Sequence, residues 1–359
     1  MANHLFVEQL IPNTLSLVWP CFCLLLLLQC LSIARPSLLS GTRSPARRHA
    51  PRFTASQFKA TFRLSEDEVD TILPHLLLPN IIRTVKGDVC SRRTAFLYAL
   101  AYLGGCTLVR MGHLFGRSYT TIHRIFRLNI ALIHSRWQHL LDIRQAHHHL
   151  LSPRYLAACA DALARFGSPS SVVWGFLDGT LRAIARPKRG QRSFYNGWKR
   201  HHALKYQVVI DARGLIWLHG PFRGPRHDST MLRESGLHLW LDANSKRPEG
   251  EELCIFGDKD YDARGLLMVP YKGNITQAQR YFNFEMSRVR VEVEHAIGWM
   301  PKMFPRLDHK RIQRVLLSPL AKEFRVAVLL VNAVSCISGN QTSQRIGLDT
   351  PSLYQYFRN

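Results

Sequence analysis

Four short apolar runs after position 170, VVWGFLD, KYQVVID, GLIWLHG and ELCIFGD, constrain this chain most, and three of the four end in an acidic residue. Runs of this length rich in β-branched and aromatic residues, bounded by turn residues, read as strands rather than helices. Ala212-Arg213-Gly214 joins KYQVVID to GLIWLHG, a spacing that predicts an antiparallel hairpin and excludes a purely parallel doubly wound sheet. A helix over 228–235 is interleaved, so residues 170–335 are expected to form a mixed α/β (α+β) domain. The apolar stretch from Ser318 to Val334 predicts a buried closing helix.

Upstream the pattern is helical. Residues 36–54, rich in Pro, Arg and Ser, read as an exposed linker, and folded structure is expected to begin near Phe58. Ser65 followed by Glu68 is a capping-box start, Pro74 and Pro79 disturb the helix it opens, and 55–85 is expected to be helix-rich. Thr94 to Leu103 predicts a packed helix ended by Gly104-Gly105. The organisation that follows is an apolar segment and basic linker at 1–54, a helical domain at 55–160, the sheet domain at 170–335 and a tail at 336–359.

Charge narrows the partner. With 48 Lys and Arg against 25 Asp and Glu, the chain carries +23 spread along its length among aromatic residues, which favours nucleic acid over a membrane surface. In Arg110 to Ile130 a short helix with Met111 and Leu114 meets Gly116, and a second helix begins at Ser118 with Ile122, Ile125 and Phe126 on one side. This is a helix-turn-helix pattern, or an ordinary helical hairpin; as the former it projects Ser118, Tyr119, Thr121, His123 and Arg124 toward a DNA groove or its phosphates. A second basic stretch, with Arg186, Lys188, Arg189, Arg192, Lys199, Arg200 and Lys205 among Phe194, Tyr195 and Trp198, fits a groove that tracks phosphates.

Eight cysteines without a CxxC pair indicate neither a zinc ribbon nor a disulfide framework. His147-His148-His149 lacks companion ligand spacing and reads as a solvated helix end. The run from Thr14 to Ala34 has the length of a membrane span, lacks the basic start of a secretory signal and contains Pro20. A span, a core helix and an ill-defined start of the chain stay open for it.

Asp178 is expected to close the first strand and Asp258 to close the last of the four. A carboxylate at the end of an apolar strand is costly unless it is exposed or neutralised, and two of them on neighbouring strands can hold a divalent metal through oxygen. On the helix VRVEVEHAIGW, Glu292 and Glu294 stand about 200° apart. Glu294 shares a face with Arg290 and Gly298, whereas Glu292 is expected to pair with Arg288, which makes Glu294 the third acid.

The order LDGT, KYQVVID, PFRGPRHDSTML, FGDKDYDARGLLMVPYKG and RVRVEVEHAIGW resembles the DDE endonuclease domain of the Harbinger transposase-derived nucleases, with the helix-turn-helix ahead of it. The likeness covers roughly residues 55–335, and 35 residues separate Asp258 from Glu294. The family's last motif usually ends in Phe-Gly and a basic stretch, where this chain has Ile297-Gly298-Trp299-Met300-Pro301-Lys302 and keeps the Glu.

The resemblance implies a ribonuclease H-like fold with Asp178 on the first strand, Asp258 on the fourth and Glu294 on a later helix as catalytic metal ligands. Asp228 is part of the pattern, either as a further ligand or as the cap of its helix. The cofactor implied is Mg²⁺ or Mn²⁺, and the activity is DNA phosphodiester cleavage, with strand transfer where a 3′-hydroxyl replaces water. The alternative is a catalytically inactive, domesticated DNA-binding protein that keeps the transposase fold. A separate DNA-binding accessory protein and a homodimer are the implied partners beside DNA. The implied location is the nucleus, against membrane anchoring through 14–34.

Overall fold

A five-strand ladder organises the molecule. The computed structural model describes residues 53–145, 150–315 and 317–358, and at 292–294 only the backbone. The apolar run at 14–34 and the His147-His148-His149 cluster therefore lie outside the described residues.

The chain opens with α1 (Ala55–Phe62) and α2 (Glu66–His75), and Ser65 and Glu68 close the expected capping box on α2. A two-strand hairpin follows, β1 (Ile81–Arg83) with β2 (Val89–Ser91), in a stretch whose sequence signals only helix and breaker. Three helices come next: α3 (Arg92–Leu103), whose residues from Ala95 onward are all buried, α4 (Leu108–Phe115) and α5 (Tyr119–Trp137). Gly116 ends α4 at φ 62°, a left-handed conformation that a glycine adopts without strain. Asn129, fully buried on α5, donates to the Ala95 carbonyl at 2.9 Å and ties α5 to α3.

After α6 (Pro153–Phe166) the sheet begins with β3 (Val173–Ala183). A connection holding the one-turn helix α7 (Gln191–Phe194) and the short β4 (Tyr195–Asn196) leads to β5 (His201–Asp211). The next elements are β6 (Ile216–Arg223), α8 (Asp228–Ser235), α9 (Leu237–Asn244), β7 (Cys254–Gly257) and β8 (Leu267–Met268). The expected hairpin is present, with β5 and β6 antiparallel from Ile210↔Ile216 to Leu204↔Arg223. β3 runs antiparallel to β5 and parallel to β7, and β7 runs parallel to β8. The ladder reads β6-β5-β3-β7-β8, with β4 on the end of β5, a mixed sheet consistent with a ribonuclease H-like layout.

The first strand does not stop at Asp178 as its sequence suggested. It continues through Gly179 to Ala183 because β5 supplies antiparallel partners from Gly175 to Ala183, so Asp178 lies inside a strand on one side and at the end of the parallel pairing on the other.

The 27-residue α10 (Gln277–Met303) carries the last sequence motif, and α11 (Leu320–Ser338) is the buried closing helix. Asn332 on α11 accepts from the Ile216 amide at 3.0 Å and donates to its carbonyl at 2.9 Å, which fastens the helix to β6. The stretch beyond 335, read from sequence as a tail, forms α12 (Gln341–Ile346) and α13 (Leu353–Tyr356), with Tyr356 and Phe357 buried. Pro51–Asn359 cluster as one compact unit, and the buried side chains of the helical region and the sheet form one continuous core. No helix among the described residues is long and apolar enough to cross a membrane.

Candidate active site

Strand register places two of the three expected acids side by side. Leu177 pairs with Gly257 across the parallel β3 and β7, so the next residues, Asp178 and Asp258, leave neighbouring strands at the same level. Parallel partners point to the same face, and the strands lie about 4.8 Å apart. In each case Oδ1 accepts the amide of the following residue, from Gly179 N at 2.7 Å and from Lys259 N at 2.6 Å. Two carboxylates with the same local anchoring are thereby presented together.

The electrostatics of Asp178 are strained in the sense expected of a cation site. Burial pushes the Asp178 carboxyl up to about 6, and the Asp258 and Asp228 carboxylates add to the rise. The Gly179 amide and the Arg290 guanidinium act in the opposite direction. Arg290 belongs to α10, so its interaction with Asp178 turns that face of the helix toward the aspartates. Position 294 stands four residues further on, on the same face by the 3.6-residue period. The Glu294 side chain lies outside the described residues. Arg288 pairs with Glu285, one turn back, at 2.7 Å; the Glu292 side chain, expected as its partner, lies outside the described residues.

Among the described residues no group of three or more His, Cys, Asp or Glu side chains could hold a metal ion. What is present fits a divalent cation in its chemistry: two adjacent carboxylates, one of them held at a raised pKa that a bound cation would lower.

Asp228 occupies a different position. The residue that caps α8 is His227, without a side-chain cap bond, so the capping role expected for Asp228 is not what the structure shows. Its Oδ2 instead accepts from Lys205 Nζ at 2.8 Å, and both side chains are largely buried. A Cβ built on Gly179 would run into Asp228 Oδ1. Successive side chains of a strand point to opposite faces, so Asp228 lies on the face of β3 away from Asp178. Lys205, expected among the phosphate-tracking cations, is spent on this buried pair.

The two predicted DNA-contacting regions differ. On α5, Ser118 is the helix cap and accepts from the Thr121 amide at 3.2 Å. Thr121 donates to Asp88 Oδ1 at 3.0 Å, and Arg124 holds Asp88 with two bonds of 2.6 and 2.9 Å. These contacts hold the Asp88 carboxyl well below the usual carboxylate range, the Arg124 bond first among them. His123 is partly buried and stacks on Phe126, and burial lowers its pKa, with Arg127 and Arg306 adding to the fall. Tyr119 is exposed. In the β3–β5 connection Lys188, Arg189, Lys199 and Arg200 are all exposed, and Trp198, next to Lys199 in the chain, is 87% exposed.

Three participants were not singled out from sequence: Asp88, and Gln207 and Tyr261, the Tyr261 hydroxyl interacting with the side chains of Gln207 and Asp228. Asp88 sits in a turn with no motif around it. Gln207 and Tyr261 have a visible signal only in retrospect: a polar side chain within a strand of β-branched residues, and a ring two residues beyond Lys259.

No solved structure matches the chain. The "Probable transposase for insertion sequence element IS702" of Microchaete diplosiphon is 30% identical over 128 residues, which cover 33% of this chain and 43% of that relative. The chain thus spans less than half the length of the curated relative it matches. Residues 177–332, which begin one position before Asp178 and run through α10 into α11, match the family described as DDE superfamily endonuclease.

Proposed function

We propose that this chain is a metal-dependent DDE-type DNA endonuclease or transposase of the Harbinger type, in which Asp178, Asp258 and Glu294 hold Mg²⁺ or Mn²⁺. The observation that carries this reading is the register that sets Asp178 beside Asp258 on parallel neighbouring strands within a segment similar to DDE endonucleases. A divalent ion bound there would supply Lewis-acid stabilisation of the phosphodiester under attack.

The chain's own groups do the rest. Backbone amides at Gly179 and Lys259 fix one oxygen of each carboxylate, so the acids are aimed before anything binds. Ionised Asp178 is the working form, and because burial raises its pKa, protons compete with the cation for it as pH falls. Lys188, Arg189, Lys199 and Arg200 neutralise DNA phosphates beside the site, and Trp198 offers a ring face to an unpaired base. Residues 55–160 supply a second DNA contact through the start of α5, where exposed Tyr119 is the leading side chain. The nucleus is the location this reading requires, with a second copy of the chain and an accessory DNA-binding protein as partners; a fluorescent fusion of the full chain excluded from nuclei would count against it.

Nicking of supercoiled plasmid and of terminal-repeat DNA by the purified protein in Mg²⁺, Mn²⁺ or chelator tests the activity. Cleavage should require metal and vanish in Asp178→Ala, Asp258→Ala and Glu294→Ala. A wild-type protein that binds DNA yet never cuts, with or without accessory protein, replaces this reading with a domesticated DNA-binding protein.

A further inference from the structure

Behind the two aspartates, on the opposite face of β3 and β7, lies a second cluster of polar side chains. Gly179 follows Asp178 and Gly257 precedes Asp258, so each acid has a glycine neighbour whose missing side chain opens the back face. Asp228 fills the space behind Gly179, where Lys205 Cε would also stand 3.2 Å from an added Cβ. Leu267 and Tyr261 together fill the space behind Gly257, Leu267 Cδ1 at 3.1 Å and the Tyr261 ring at 3.3 Å from the same construction.

These residues are joined to each other and to the loop that bears Asp258. Lys205 Nζ binds Asp228 Oδ2 at 2.8 Å and the Arg226 carbonyl at 3.1 Å, which locks the start of α8 onto β5. The neighbouring Ser229 donates to the Asp260 carbonyl at 3.2 Å. Lys272 Nζ reaches the Tyr261 carbonyl at 3.4 Å, and the Tyr261 amide bonds back to the Asp258 carbonyl at 3.1 Å. Asp228 Oδ1, the Tyr261 hydroxyl and both amide atoms of Gln207 converge here, all buried and none in a conventional hydrogen bond. The Tyr261 hydroxyl stands within reach of both the Gln207 and the Asp228 side chains. Leaving them unpaired would be costly.

We infer that Asp228, Lys205 and Tyr261 form a back-face clamp, in which the Tyr261 hydroxyl donates to Asp228 Oδ1 and the loop 258–261 is thereby held against β3 so that Asp258 meets Asp178 in register. Asp228 is a positioning residue in this arrangement and does not ligate metal. Its ion-pair partner is a lysine, and the strand between it and Asp178 separates the two faces. The inference rests on the reading of Asp178 and Asp258 as the metal-holding pair.

Two measurements on the full chain test it. The first is direct Mn²⁺ binding, by calorimetry and by paramagnetic resonance. Asp228→Asn and Tyr261→Phe should keep the wild-type stoichiometry while raising the half-saturating Mn²⁺ about 10–100-fold, whereas Asp258→Asn loses bound ion. Asp228→Asn, which keeps an acceptor for Tyr261, should be milder than Asp228→Ala, and the double variant Asp228→Asn/Tyr261→Phe should be no worse than the more severe single one. A stoichiometry in Asp228→Asn reduced as in Asp258→Asn makes Asp228 a ligand and overturns the clamp. The second measurement is metal-free hydrogen exchange, in which Asp228→Ala and Tyr261→Phe should speed exchange at 258–262 and leave α11 as in wild type. Unchanged protection at 258–262 overturns the clamp whatever the metal data show. Absence of Mn²⁺ binding by wild type would overturn the nuclease reading, and the exchange data alone would then decide the clamp.

Discussion

The two ends of β5's neighbourhood treat an aspartate in opposite ways. Asp211, at the hairpin end, is 1% exposed and fully served: it accepts the Tyr155 hydroxyl at 2.6 Å and the amides of Arg213 at 2.9 Å and Leu215 at 3.0 Å. Burial pushes its pKa up, and these donors pull it back. Asp178, on the adjacent strand, is anchored by the one amide of Gly179 and stands beside the Asp258 carboxylate. In sequence, FLD and VID look alike. The difference teaches that an acid with its donors built in is structural, while an acid packed against like charge is held ready for a cation.

The sharpest break of this comparison is Asp211→Ala. It leaves a buried hydroxyl and two amides without an acceptor, and should cost about 3–5 kcal/mol in chemical denaturation. A loss below about 1 kcal/mol would mean that Asp211 is not the hairpin's keystone.

Asp178→Asn should act in the other direction. The folded-state pKa of about 6 lies above the ordinary 3.8, so the folded protein binds the proton more tightly and loses stability as pH rises through this window. In chelator at pH 8 the variant should therefore be more stable than wild type by up to about 3 kcal/mol, with the gain gone near pH 4 and cleavage abolished. Equal stability of the two proteins at pH 8 would remove the case for stored repulsion at the site.

The basic regions show the same contrast. Arg124 is bound to Asp88 within the protein, whereas Lys199 and Arg200, which follow Trp198 in the chain, are exposed. Trp198→Ala should weaken single-stranded DNA binding by about 1–2 kcal/mol without lowering Tm. Lys199→Ala and Arg200→Ala should each reduce the slope of log affinity against log salt by about 1. Arg124→Ala should lower Tm and leave that slope nearly unchanged. A slope change from Arg124→Ala as large as that from Lys199→Ala would return α5 to the phosphate contacts.

Much of the fold was legible. The hairpin read at 205–220, the helix at 228–235 with its observed bounds, the capping box at Ser65 and the buried helix after 318 all rest on patterns spanning a few residues. The small hairpin β1–β2 was not legible, because its strands have three residues each and their partners lie in the tertiary structure. The site was half legible. Asp178 and Asp258 could be picked out, but the back-face location of Asp228 and the burial of Lys205 could not.

Sequence by itself determined the cores of the four apolar strands, the turn between the hairpin pair and which acids stand beside them, because turn chemistry and apolar patterning act between residues a few positions apart. Only the tertiary structure decided which charges remain available. Lys205 meets Asp228 across 23 positions, Arg124 meets Asp88 across 36 and Tyr155 meets Asp211 across 56, so those pairings depend on how the sheet and helices pack. A charge so paired is not available to an outside ligand, and a charge left beside its own kind is.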